Sequence, residues 1–273
     1  MNRKLEDKIR DLREILNGLE HVAVAVSGGV DSMTLSVVAH RLSCASAQMF
    51  HAVSPAVPVK ATKRVKEYAA REGWSLRMLD AGEFANGNYM RNPVNRCYFC
   101  KSSLYGSVSG MTAAIVVSGT NLDDLDDYRP GLRAAREHGV RHPYVEAGID
   151  KCAVRDIAQH LGLGDLADLP AAPCLSSRIE TGIGIDPGVL IAVDRVEQLL
   201  LSELKPRTAR CRVRDQGVVI ELDNESFSAL TTERRQSVTD AVIEVFRGAG
   251  FAPQVLFAPY RMGSAFVRPP TIG

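Results

Sequence analysis

The chain has 273 residues, 45% of them apolar and 24% charged, with 33 Lys+Arg set against 32 Asp+Glu. That balance excludes a disordered, collagenous or disulfide-scaffold protein, and a formal charge of +1 removes the bulk electrostatic case for nucleic-acid binding. Six cysteines over this length are too sparse for a secreted staple framework. The charged N-terminus lacks the apolar core of a secretory signal, and no run reaches the roughly 18 apolar residues of a membrane span. The expectation is a cytoplasmic protein with reduced thiols.

Leu5, Ile9, Leu12, Ile15, Leu16 and Leu19 recur at helical spacing and predict an amphipathic first helix. His21–Val26 is a short β-branched run closed by Ser-Gly-Gly, the pattern of a buried parallel strand. Helix is expected over 32–43 and 58–72, strand over 47–53, 75–79 and 113–118, and helix again over 130–139 and 151–161. Such alternation indicates βαβ units and a parallel sheet covered on both faces. Past residue 185 the order becomes helix (188–204), strands (209–214, 218–222), helix (232–248) and strand (254–258), a small α+β domain. The join is placed in the Gly-rich stretch 180–188, giving domains over 1–184 and 185–273.

The strongest local signal is Ser27-Gly-Gly-Val-Asp-Ser32, between a strand and a helix. Its glycines let the backbone turn tightly and bring N–H groups to an anion. The following helix points its positive end at the same place, and the Ser27 and Ser32 hydroxyls add donors. It is neither a Walker A loop nor the dinucleotide G-x-G-x-x-G. The bland alternative is a glycine turn with Asp31 or Ser32 as helix cap. A second stretch, Ser118-Gly-Thr-Asn-Leu-Asp-Asp124, also follows a strand and emerges at the edge where α/β ligands bind. Its carboxylates Asp123, Asp124, Asp126 and Asp127 suit either a capped helix start or Mg²⁺, and both readings stay open.

Cys97 and Cys100 form a C-x-x-C, which alone fits half a zinc site, a redox pair or buried packing. No second C-x-x-C exists, which excludes a Cys₄ zinc ribbon. Cys174 stands in a Pro-rich loop expected to be partly exposed, whereas Cys44, Cys152 and Cys211 lie in patterned segments and are expected to be buried packing residues. Arg212 and Arg214, with Arg210, share one face of a predicted strand. They suit a phosphate group or pairing with acidic neighbours.

The strand–SGGxDS–helix unit resembles the PP-loop of the ATP pyrophosphatase superfamily. The resemblance implies an α/β fold of the adenine nucleotide alpha hydrolase-like kind, with Ser27, Gly28, Gly29, Asp31 and Ser32 at the nucleotide and Thr120, Asn121 and Asp123 beside them. Taken in order, residues 92–101 with Leu104-Tyr105, Gly119–Asp124, Asp127–Gly131, Glu146–Gly148, Pro173–Arg178, Arg212–Arg214 and Tyr260–Ser264 resemble the LarE family over nearly the whole chain. LarE proteins are sulfur transferases that make the nickel-pincer nucleotide of lactate racemase. The resemblance implies ATP and Mg²⁺ as cofactors, adenylation of a carboxylate of pyridinium-3,5-dicarboxylate mononucleotide, and displacement of AMP by a sulfur nucleophile to give a thiocarboxylate. It further implies a small-molecule partner rather than nucleic acid or membrane, a homo-oligomer, and Arg178 and Glu197 near the acceptor pocket. Two sulfur sources occur in the family: sacrifice of one cysteine, here Cys174, to dehydroalanine, or a [4Fe–4S] cluster on three cysteines. Cysteine at all three positions, Cys97, Cys100 and Cys174, favours the cluster. Two stretches depart from the family pattern, Leu256–Pro259 and Asp215-Gln-Gly217. The rival readings are a PP-loop tRNA thiolase and a nucleotide-binding protein with structural zinc.

Overall fold

The computed structural model describes residues 3–125, 129–171 and 173–265. In chain order the elements are α1 (Arg3–Asn17), β1 (His21–Ala25), α2 (Val30–Arg41), β2 (Ser46–Ala52), α3 (Val59–Glu72), β3 (Ser75–Leu79), α4 (Gly87–Met90), α5 (Arg96–Met111), β4 (Ile115–Ser118), α6 (Pro130–Glu137), α7 (Pro143–Glu146), α8 (Lys151–His160) and α9 (Gly164–Ala167). They continue with α10 (Pro187–Glu203), β5 (Ala209–Arg214), β6 (Gly217–Leu222), α11 (Asn224–Ser228), α12 (Thr232–Arg247) and β7 (Val255–Pro259). Contacts divide the chain into two compact units: Met1–Ala85 with Asn95–Ala172, and Asn86–Val94 with Pro173–Gly273.

The first unit carries a four-stranded sheet in the order β3-β2-β1-β4, with every pairing parallel. Its strands feed both faces, as the period of two requires. Val22 and Val24 enter a core with Leu12, Leu16, Met33 and Ile157, while Ala23 packs with Phe50, Tyr105, Val116 and Ala135. Helices α1, α2 and α8 thus seal one face, and α5 and α6 the other. This is the PP-loop, Rossmann-like α/β class expected from the sequence. The chain leaves β1 toward β2 on one side, and β4 lies on the other. The carboxyl ends of β1 and β4 therefore flank a topological switch point, where ligands of open α/β sheets bind.

The second unit is the small C-terminal sheet, β5-β6-β7, with β5 and β6 antiparallel and β6 and β7 parallel. Leu190, Val193, Val196 and Leu200 of α10 are buried, as are Cys211, Ile220, Val242 and Phe246, so α10 and α12 cover the sheet. Residues 86–94 belong here because Asn92 ties them in. Its side-chain amide donates to the carbonyls of Glu180 (2.8 Å) and Ile183 (2.9 Å), and Gly182 N–H donates to the Asn92 carbonyl. Among the described residues, no helix is long and apolar enough to cross a membrane.

One sequence expectation is corrected for two cysteines. Cys211 is buried, but Cys44 and Cys152 are exposed. The buried stripe of α8 is Ala153, Val154, Ile157 and Ala158, which turns position 152 outward. Cys44 sits in the turn after α2, where its N–H donates to Asn17 Oδ1 (2.7 Å).

Candidate functional site

In the first unit the loop between β1 and α2 is closed on itself. Ser27 N–H donates to Ser32 Oγ (3.0 Å), the two hydroxyls lie 3.0 Å apart, and Ser32 Oγ donates to the Gly29 carbonyl (3.2 Å). Gly28 has φ +83°, a left-handed backbone favoured by glycine, and a Cβ there would lie 2.8 Å from the Ala61 carbonyl of α3. Arg64 of α3 donates to the Gly28 carbonyl (2.6 Å). Gly29 is the N-cap of α2 and makes no side-chain cap bond, so the positive end of the helix is presented without a capping acceptor.

The loop after β4 packs directly on this turn. A Cβ on Gly119 would stand 2.7 Å from Ser32 N and 2.8 Å from the Asp31 carbonyl carbon, so only glycine permits that approach. Asn121 Nδ2 donates to Asp31 Oδ1 (3.0 Å) and Lys151 Nζ to Asp31 Oδ2 (2.5 Å), while the Tyr144 hydroxyl donates to the Asp31 carbonyl (3.1 Å). Ser118 Oγ lies 3.0 Å from Thr120 Oγ1 and 2.8 Å from His142 Nδ1. Burial pushes His142 below its ordinary range and Tyr144 well above its own, so both are neutral near pH 7. His51 of β2 is also lowered by burial; its Nδ1–H donates to the Val26 carbonyl (2.8 Å), leaving Nε2 to accept from Thr62 (2.9 Å).

The nucleotide candidates Ser27, Gly28, Gly29, Asp31, Ser32, Thr120 and Asn121 are thus gathered at one sheet edge. Within the acidic run the Asp124 carboxylate is engaged. Asn121 N–H donates to Asp124 Oδ2 (3.1 Å), Asp124 pairs with Arg129 (2.8 Å), and Asp123 N–H donates to Asn121 Oδ1 (3.1 Å). Asp126 and Asp127 lie outside the described residues. Sequence reasoning missed Lys151, Arg64, Tyr144 and His142. A signal existed for Lys151, which follows the Asp150 N-cap of α8, where the helix dipole disfavours a cation. Beside α3, Lys60, Lys63, Arg64 and Arg71 line a cleft of about 490 Å³. Tyr68 at its wall donates to Asp165 (2.6 Å), and burial with that bond pushes its phenol up to about 12. Cys97 and Cys100 lie half-buried on α5, three residues apart, hence on one side of that helix.

In the second unit Cys174 is exposed and opens the single 3₁₀ turn Leu175–Arg178. Its carbonyl accepts from Ser177 Oγ (2.7 Å) and Arg178 Nη1 (3.2 Å). Arg178 makes a two-pronged pair with Glu197 (2.9 Å for each bond), and Glu197 Oε1 also accepts from Cys211 N–H (3.1 Å). Arg212 pairs with Glu221 (3.0 Å), and Arg214 pairs with Glu221 (3.0 Å) and Glu180 (3.2 Å). Both guanidiniums offered for phosphate are therefore held by carboxylates, and Arg212 is buried. Within neither unit, among the described residues, do three His, Cys, Asp or Glu side chains gather to hold a metal.

An all-parallel sheet whose β1 loop and β4 loop meet at the switch point defines a protein of the PP-loop, Rossmann-like class. No protein-family model matches the chain. It is 37% identical over 255 residues to an uncharacterized protein of Synechocystis, covering 90% of this chain and 92% of that one. It is 26% identical to an uncharacterized protein of Methanocaldococcus jannaschii, covering 84% and 86%. It is 31% identical over 228 residues to pyridinium-3,5-bisthiocarboxylic acid mononucleotide synthase of Lactiplantibacillus plantarum, covering 80% of each chain. The chain belongs to the family of that synthase, the LarE family.

Proposed function

We propose that the chain is an ATP-dependent sulfur transferase acting on pyridinium-3,5-dicarboxylate mononucleotide. The observation that carries this reading is the 31% identity, over 80% of each chain, to a synthase whose name specifies the bisthiocarboxylic acid mononucleotide. A carboxylate is a poor acyl donor. Its oxygen attacks the α-phosphorus of ATP, pyrophosphate leaves, and the acyl adenylate carries AMP as leaving group. A sulfur nucleophile then attacks the acyl carbon and AMP departs, leaving a thiocarboxylate.

The chain's own residues bind and orient in this scheme. The first-turn amides of α2 and the Gly28–Gly29 turn receive the pyrophosphate; Arg64 holds the Gly28 carbonyl back from it. Thr120 and Asn121 line the nucleotide side. Asp31 is the carboxylate suited to Mg²⁺, since an ammonium already stands on its Oδ2 as a cation would. By the family resemblance Cys97, Cys100 and Cys174 would hold a [4Fe–4S] cluster, and the helical spacing of the first two suits a shared bite. Three thiolates would leave such a cluster able to supply a seat for a transferable sulfide. Arg178 and Glu197 fix the turn that bears Cys174. A homo-oligomer is part of this reading.

The test is anaerobic incubation of the protein with ATP, Mg²⁺, sulfide and the mononucleotide, assayed for AMP and thiocarboxylate. Stoichiometric formation of both is expected; pyrophosphate release without sulfur incorporation refutes the transferase. The exposure of Cys174 supports a second sulfur source, the cysteine itself. Intact mass after turnover separates the two, since loss of H₂S from Cys174 marks sacrifice and an unchanged mass excludes it.

A further inference from the structure

We propose that the cleft along α3 is a second anion site, one that takes a small phosphorylated ligand. The site stands on charge and shape and does not depend on the nucleotide reading given above.

Lys60, Lys63, Arg64, Glu67 and Arg71 follow one another along α3 at spacings of three and four and so share one face of that helix. Together with Asp165 they line the cleft of about 490 Å³, a volume in the range of small-molecule pockets. Lys60 stands three residues from Lys63 and four from Arg64, spacings at which like charges repel. Both lysines also lie near the positive end of α3, whose first turn has no acidic residue. Burial does not explain them, because both are exposed.

The two carboxylates of the cleft leave this charge largely standing. Glu67 reaches Lys63 at 3.6 Å, an exposed pair of little worth. Asp165 is turned to the wall, where both its oxygens accept from the Tyr68 hydroxyl (2.6 and 2.8 Å). Arg71 touches Glu72 at 3.3 Å, but Arg41 holds the same carboxylate with two bonds of 2.7 Å. Among the described residues, no carboxylate pairs with Lys60 or Arg64. Four cations against two carboxylates leave an excess of two positive charges.

The guanidiniums are held in place. Arg71 lies over the Tyr68 ring, 3.8 Å from its centroid, and Arg64 is anchored through Nη1 on the Gly28 carbonyl (2.6 Å), which leaves its other N–H groups to serve the cleft. Planar guanidiniums offer paired donors to phosphate oxygens, and the two ammoniums add mobile point charges. A phosphoryl dianion matches the excess of two, whereas a monocarboxylate would leave half of it uncompensated. Leu169 gives the lining an apolar element for the organic part of a phosphate ester.

Calorimetric titration of the full chain with inorganic pyrophosphate and with phenyl phosphate tests the site. Each titration is run with and without a saturating non-hydrolysable Mg·ATP analogue, which separates any binding at the β1–α2 loop. One site that the analogue does not compete for is expected. Lys60→Gln combined with Lys63→Gln should weaken it about tenfold or more through two lost charge-assisted contacts. The thermal midpoint of that double variant should hold or rise, because two cations have left the positive end of α3, so weaker binding cannot be put down to unfolding. Tighter binding of phenyl phosphate identifies the ligand as a phosphomonoester, and tighter binding of pyrophosphate identifies a free phosphate chain; either order supports the site. Absence of an uncompeted site for both probes, or an affinity that the double variant leaves unchanged, overturns the proposal and marks the α3 face as merely solvated.

Discussion

Removing Glu197 should destabilise the second unit out of proportion to a single contact. Arg178 and Glu197 are joined by parallel bonds of 2.9 Å each, and their side chains are only 3% and 9% exposed. Burial opposes the charge on Arg178, but the Glu197 carboxylate more than offsets it, so the guanidinium is held above its ordinary range. Glu197→Ala leaves that charge in place with only the neutral oxygens of Pro173, Cys174 and Ser177 as acceptors, and it orphans the Cys211 N–H. Breaking a buried pair from one side costs about 3–5 kcal/mol. At about 4 °C per kcal/mol for a unit near 100 residues, the calorimetric midpoint should fall by about 12–20 °C. Replacing both partners by apolar residues of similar volume, Arg178→Met with Glu197→Leu, should recover most of the loss, because no charge is then left unpaired. A single variant within about 1 kcal/mol of the natural chain, less than a broken buried pair costs, would refute the reasoning. So would a double variant no more stable than the single.

Gly119→Ala should separate the β4 loop from α2: its Cβ would lie 2.7 Å from a backbone nitrogen that has no flexible end to yield. Mg·ATP affinity should fall about tenfold or more, and unchanged calorimetric affinity would contradict the close approach. Stability should also depend on pH through the buried histidines. His51 and His142 both titrate below their ordinary value of 6.5, so the unfolded chain binds more protons in that interval. Their contribution is complete above pH 6.5 and is lost as pH falls through the lowered values. Unfolding midpoints from pH 8 to pH 5 should decline below about pH 6.5, and His51→Gln should flatten the decline; a flat profile in the natural chain would count against it.

The parts of the site that were legible in the sequence are those written in local pattern. A β-branched run, two glycines and a helix start cannot be arranged in many ways, and Ser27–Ser32 folds as its spacing requires. Helix α5 was not legible. It carries Gly106, Gly110 and serines at 102, 103, 107 and 109, so no clean apolar stripe marks its sixteen residues, and tertiary packing of Tyr105 and Val108 overrides weak propensity. The exposure of Cys152 was misjudged because an apolar-looking residue inside an amphipathic segment can fall on either face. Pairing of Arg212 and Arg214 with Glu221 required the strand register. Arg210 lies opposite Glu221 across the β5–β6 ladder, and that alignment places the whole row of arginines on the face that Glu221 shares.

Lys151 shows what a sequence can offer at a site without any motif. Its neighbour Asp150 is an ordinary N-cap, accepting from Ala153 N–H (2.7 Å), and would account for the helix start alone. The lysine beside it works against the helix dipole, as do Lys60 and Lys63 near the start of α3, whose first turn also has no acidic residue. Lys63 has an i,i+4 partner on its own helix in Glu67 (3.6 Å), but such an exposed ion pair is worth little. In the fold Lys151 sits on the Asp31 carboxylate beside the β1–α2 loop, and Lys60 and Lys63 line a cleft together with Arg64, which donates to the Gly28 carbonyl of that loop. That cleft carries four cations, Lys60, Lys63, Arg64 and Arg71, against two carboxylates, Glu67 and Asp165, an excess that suits an anion.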